Sequence, residues 1–209
     1  MANTSYNFSF IGAYLRPELA RIEADAFLSI RNWDEVKKHI INNNSFQSRT
    51  RNSLIRMEGE IRQRLKRLTE NQISLAAKGS GDELRAMSWL SVIKNSVFIR
   101  EFAAEILRGK LSDMDTELRL SDFSNFVSSK TPMHPELESL KESSLKKIRS
   151  ILYGMLAEAG LILKDGKSLK VAKPVIPAQA LDVIINDDPY LLDGFLWSER
   201  EIMEAKNKL

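Results

Sequence analysis

The sequence predicts a mainly α protein, with a helix-turn-helix-like N-terminal helical half and a C-terminal winged helix carrying one β-hairpin wing. Three observations carry that prediction. Apolar residues recur at three- and four-residue spacing through most of the chain. A polar turn, Asn42-Asn43-Asn44-Ser45, joins a short helical stretch to a longer basic one. Two alternating runs, Leu161-Ile162-Leu163-Lys164 and Lys167-Ser168-Leu169-Lys170-Val171, flank an Asp165-Gly166 pair, the strongest short-range hairpin signal. The 209 residues suffice for one large domain or two small ones, and the change of character divides them into 1–112 and 113–209.

Pro17 suits a first helical turn, and Leu19, Ile22, Ala26, Phe27 and Ile30 follow at helical spacing. A second helix spans 33–41, with Asn32 as its cap and Asp34 and Glu35 in its first turn. After the asparagine turn one long helix is expected over 49–72. Lys78-Gly79-Ser80-Gly81-Asp82 breaks the pattern as a loop capped by Asp82, and 84–107 is apolar on more than one face, as in a helix surrounded by others. Gly109 marks its C-cap. Ser121 caps a short helix through Val127, and Pro132 and Pro135 bracket a turn before another short helix over 136–140. A long helix over 143–159 closes at Gly160, and the hairpin follows until Pro174 and Pro177 stop it. An acidic helical tail then carries Leu191, Leu192, Phe195, Leu196, Trp197 and Ile202, which dock it on the body.

Composition narrows the functional classes. Hydrophobic residues make up 43% and charged residues 28%, which excludes wholesale disorder. The most apolar region, 89–107, is interrupted by Lys94, Asn95, Arg100, Glu101 and Glu105, so no membrane span is expected. The first ten residues lack a basic and then apolar leader, and the absence of cysteine excludes a disulfide framework and a thiolate nucleophile. A cytoplasmic chain is expected.

Net charge is only +3, but it is unevenly spread. Seven cations between 49 and 67 (Arg49, Arg51, Arg56, Arg62, Arg64, Lys66, Arg67) face Glu58 and Glu60, giving +5. Eight cations against three acids over 141–173 again give +5, and seven acids against Arg200 over 182–204 give −6. With Leu54, Glu58, Ile61, Leu65 and Leu68 turned inward, the outer stripe of the first basic helix is Arg49, Asn52, Arg56, Gly59, Gln63, Lys66 and Arg67, free of acid. Arg49, Thr50, Arg51 and Asn52 stand at its leading end, where a recognition helix reaches bases or phosphates. On the second basic helix Leu145, Ile148, Leu152, Met155 and Leu156 turn inward, while Ser143, Lys147, Ser150 and Gly154 line the outer face beside Lys146 and Arg149. Lys164, Lys167, Lys170 and Lys173 crowd the wing. The pattern points to a nucleic-acid interface formed by Arg49, Thr50, Arg51, Asn52, Arg56, Gln63, Lys66, Arg67, Ser143, Lys146, Lys147, Ser150, Lys164, Lys167 and Lys170.

Catalytic patterns are weak. His39 and His134 fall on separate elements, and Ser143-x-x-Lys146 lacks the companion motifs of serine–lysine enzymes. Gly79-x-Gly81 lacks the rest of a phosphate loop, and Glu35-Val36-Lys37 sits on a helix rather than on the strand a nuclease site needs. Asp113, Asp115 and Glu117 read as an acidic loop. No catalytic residue, metal or cofactor is expected.

One set of motifs, taken in order, resembles a known family. Tyr6-Asn7-Phe8-Ser9-Phe10-Ile11-Gly12, Trp33, Asn44-Ser45-Phe46-Gln47-Ser48-Arg49-Thr50, Arg64-Leu65 and Met155-Leu156-Ala157-Glu158-Ala159-Gly160-Leu161-Ile162 resemble the BrxA proteins of bacterial BREX phage-defence systems. The resemblance implies a non-enzymatic double-stranded-DNA-binding component of a defence locus. It also implies other BREX proteins as partners, and a likeness to the NusB fold that makes RNA a rival ligand. A protein–protein scaffold is the alternative of a different class, its basic faces docking acidic partners.

Overall fold

The computed structural model describes residues 5–207, so the first four residues of the stretch read for a leader lie outside it. Caps decide where its helices begin. Helix α1 (Pro17–Ile30) takes Pro17 at its first position, and α2 (Trp33–Asn42) is capped by the Asn32 side chain, which accepts from the Asp34 and Glu35 N–H groups. The Trp33 and Phe27 rings stack at 4.0 Å and fasten the two helices together.

The segment after α2 is longer than expected. Helix α3 (Arg51–Leu65) starts beyond residues 43–50, whereas a tight helix-turn-helix uses about 3–4 residues. Asn44 and Gln47 both take positive φ there, so the extra length is ordered turn. The single helix expected over 49–72 is two. Thr69 forms a capping box with Gln72 and starts α4 (Glu70–Lys78) as a separate helix. A second capping box, Ser80 with Glu83, starts α5 (Gly81–Asn95), so Ser80 and not Asp82 is the cap.

The apolar stretch 84–107 is buried on several faces, as its composition required, but it breaks at Ser96, whose hydroxyl caps α6 (Val97–Glu101). The chain continues through a π-helical stretch, Phe102–Leu107, into α7 (Arg108–Ser112), so Gly109 lies inside a helix rather than ending one. Residues read as an acidic loop instead supply strand β1 (Glu117–Leu118).

Helix α8 (Leu120–Lys130) begins at Arg119, whose N–H donates to the Asp122 carboxylate, and runs past the expected end at Val127. The short α9 (Pro135–Glu138) and the long α10 (Glu142–Glu158) follow, and Gly160 leaves α10 at φ +78, a conformation glycine adopts without strain.

The hairpin forms as β2 (Ile162–Asp165) and β3 (Ser168–Val171), with β1 added antiparallel in the order β1-β3-β2. Asp165 pairs with Ser168, so the turn residues are Gly166 and Lys167 rather than Asp165 and Gly166. Of the turn pair Gly166 alone has positive φ, +59, the pattern of a turn with glycine first.

The tail forms α11 (Ala178–Ile185), a 3₁₀ segment Pro189–Phe195 and α12 (Glu199–Lys206). It packs against α4, α5 and α6 of the N-terminal half. The Trp89 indole N–H donates 2.9 Å to the Gly194 carbonyl, and Lys94 and Arg100 pair with Asp187 and Asp193. An aromatic cluster around Phe98, with Tyr6, Phe10, Phe123 and Phe126, joins the halves into one core.

Candidate nucleic-acid interface

Thr50 sets the start of the first ridge. Its hydroxyl accepts from the Ser53 N–H at 3.2 Å, which makes it the N-cap of α3 and fixes which residues turn outward. Leu54, Glu58, Ile61, Leu65 and Leu68 are buried, while Arg49, Arg51, Asn52, Arg56, Gln63, Lys66 and Arg67 are exposed. Among the described residues none of these five cations is paired with a carboxylate. Elsewhere on the surface pairing is common, as in Arg31–Glu70, Lys38–Glu35, Arg85–Asp82 and Arg200–Glu204. An unpaired cation keeps its full charge for an external anion.

Two cations of the predicted block go inward. Arg62 Nε donates 2.7 Å to Glu58, and Arg64 Nε donates 2.9 Å to Glu60, with Arg64 only 2% exposed. Both acids of the block are therefore neutralised internally. Burial lowers the Arg64 pKa while the Glu60 carboxylate opposes that shift. The rest of the Arg64 fork donates 2.9 Å to the carbonyls of Ala13 and Tyr14.

Ser143, Lys146, Lys147 and Ser150 are exposed on α10, with Lys146 paired to Glu142 at 2.7 Å and Lys147 unpaired among the described residues. The ridge ends at Ser150. A Cβ on Gly154 would sit 2.5 Å from the Tyr14 ring, so that bare position is filled by the protein's own side chain and is not open to a groove. At the wing, Lys164 and Lys167 are exposed, but Lys170 is half-buried and stands across the sheet from Glu117, which makes it the weakest of the three.

The same segment that covers Gly154 also touches α3. Gly12 approaches the Arg56 side chain, where an added Cβ would lie 3.3 Å from Cγ. Residues 9–16 thus form a strap that meets the outward stripes of both basic helices. Arg16 leaves the strap at φ +51, its N–H donating 2.9 Å to Glu158 and its guanidinium 5.7 Å from the centre of the Tyr14 ring. Neither Tyr14 nor Arg16 was legible as a surface residue, since nothing in sequence spacing brings residues 12–16 beside 56 and 154.

The groups weighed for catalysis do not converge. His39 lies on exposed α2 beside Asn43, and His134 is buried, stacked on Tyr6 at 3.6 Å. Glu35 pairs with Lys38 and not with Lys37. Asp115 is held well below the usual aspartate range by Arg119 and Lys110. No cluster of three acidic or histidine side chains suited to a metal is present among the described residues, and none of their helices is long and apolar enough to cross a membrane.

The BrxA family model matches residues 4–188. The chain belongs to the BrxA family. A curated relative, the BREX protein BrxA of Escherichia coli O9:H4 (strain HS), is 27% identical over 152 residues, 73% of this chain and 71% of its own length. A crystal structure of an uncharacterized protein from Magnetospirillum magneticum superposes with a TM-score of 0.80 at 20% identity, covering 92% of this chain and 98% of the other. That likeness shows the fold. The strap, α3, α10 and the wing of this BrxA family member all fall inside the matched residues, while α12 falls outside them.

Proposed function

We propose that this BrxA family member is a non-enzymatic, double-stranded-DNA-binding component of a BREX phage-defence system, held to DNA mainly through phosphates. The observation that supports it most is the α3 ridge, where Arg49, Arg51, Arg56, Lys66 and Arg67 are exposed with no carboxylate partner among the described residues while Glu58 and Glu60 are buried. A surface with no acid of its own favours a polyanion over a mixed protein face. The order α8, α9, α10, β2, β3, with β1 completing the sheet, supports a winged-helix reading of the second half. In that reading the tip residue Lys167 meets phosphate and the ridge of α10 approaches a groove about 12 Å wide. Other BREX proteins are the protein partners that this reading implies, and the cytoplasm is its compartment.

A gel-shift titration with duplex DNA and structured RNA at two salt concentrations tests the reading. If about six phosphates are contacted, log K falls against log salt with a slope near −5. Duplex DNA is the preferred ligand, because the deep, narrow A-form groove does not admit a helix. Arg49→Glu, Arg51→Glu and Arg56→Glu weaken binding to all sequences alike. A slope shallower than about −2, or full binding by the triple variant, overturns it. A pull-down of BREX proteins that survives nuclease treatment, with no DNA shift at low salt, replaces it with the scaffold reading.

A further inference from the structure

Three features converge on the strap between the two ridges. Gly12 lies against Arg56 of the α3 stripe, and Tyr14 lies against Gly154 of the α10 stripe. The strap is fixed by the Arg64 fork on the Ala13 and Tyr14 carbonyls and by Glu158 on the Arg16 N–H. Arg16 is a non-glycine residue held at φ +51, a strained backbone conformation that these contacts over-determine. Its guanidinium is exposed, rests over the half-exposed Tyr14 ring, and has no carboxylate partner among the described residues. A cation oriented by an aromatic face and by fixed backbone loses little entropy when it takes an anion.

Resting on the DNA-binding reading above, we propose that Arg16, seated on Tyr14, is a third phosphate contact that bridges the two basic ridges, so that one duplex lies across α3, the strap and α10. The wing then touches the same duplex rather than a second one. Glu158, the last residue of α10, is engaged by the Arg16 backbone N–H at 2.9 Å.

The test uses the full chain and a mixed-sequence duplex of about 20 bp, titrated by fluorescence anisotropy over a salt series. Arg16→Ala weakens binding about tenfold and lowers the magnitude of the salt slope by about 1. Arg16→Gly separates binding from folding. Glycine relieves the positive-φ strain, so the melting temperature rises or holds while binding weakens as in Arg16→Ala. Tyr14→Phe keeps parental affinity, and Arg16→Ala added to Tyr14→Ala costs less than in the parent background, as for coupled residues. Stoichiometry stays at one duplex per chain. Two duplexes bound independently, or parental affinity and slope in both Arg16 variants while Arg56→Glu and Lys147→Glu each weaken binding, overturns the bridging contact and leaves the DNA-binding reading in place. Failure of the parent to bind duplex DNA overturns both.

Discussion

Glu23 on α1 is fully buried, and neither of its carboxyl oxygens has a hydrogen-bond partner among the described residues. Burial pushes its pKa well above the usual 4.5, the nearby Glu58 carboxylate raises it further, and Arg62 partly opposes both. The buried faces of α2, α4 and α5, which also pack on α1, carry no charged side chain. The folded state therefore holds this proton more tightly than the unfolded chain. Its stability falls as pH rises from about 4.5 through the raised folded value. Glu23→Gln removes that dependence, so the difference in melting temperature, variant minus parent, widens as pH increases from 5 to 8. Thermal unfolding at four pH values checks it, and a constant difference refutes it. Arg64 makes the opposite case. Arg64→Met leaves Glu60 buried and unpaired and lowers stability by about 3–5 kcal/mol in a denaturant titration. Of the two glutamates of the basic helix, the inward position of Glu58 was legible from its place in the apolar stripe, but its closeness to the Glu23 carboxyl was not, because that approach joins separate helices.

At the scale of elements, caps mattered more than periodicity. The apolar rhythm runs on from α3 into α4, which is why one helix is expected over 49–72. The Thr69–Gln72 capping box ends that continuity by offering the backbone N–H groups a better local partner. Thr69→Ala lowers stability by about 1 kcal/mol. Its hydrogen exchange rises at the α3–α4 joint while α10 is unaffected. Gly154 marks where an element's outer face is closed by another segment. Gly154→Ala forces the Tyr14 ring away and lowers stability by about 1–3 kcal/mol. A crystal structure of that variant shows the strap displaced. The hairpin itself was visible in its alternation, and only its register differed, because Asp165 pairs in the ladder and Gly166 opens the turn.

For the whole molecule, the question is where the acidic tail goes. Its docking residues were legible as apolar, but its seat was not. It packs on α4, α5 and α6, and Phe195 and Leu192 enter the common core. Phe195→Ala lowers stability by about 3–5 kcal/mol. Measured well below the melting temperature, it leaves the salt slope of the proposed DNA binding unchanged, because that proposal seats the duplex on α3, the strap and α10. A changed slope places the tail in the interface. The Phe98 cluster links the two halves, so thermal unfolding follows one cooperative transition.

The sequence by itself determined the mainly helical class, the hairpin, and which side chains of α3 face outward. Each of these follows from spacing within a few residues, where periodicity and capping act. It could not determine that Arg62 and Arg64 are withdrawn from the basic block by buried acids, that β1 completes the sheet, or that Gly154 is covered. Those outcomes depend on contacts between residues far apart in the chain, above all the strap, whose Tyr14 and Arg16 meet α10 only through folding.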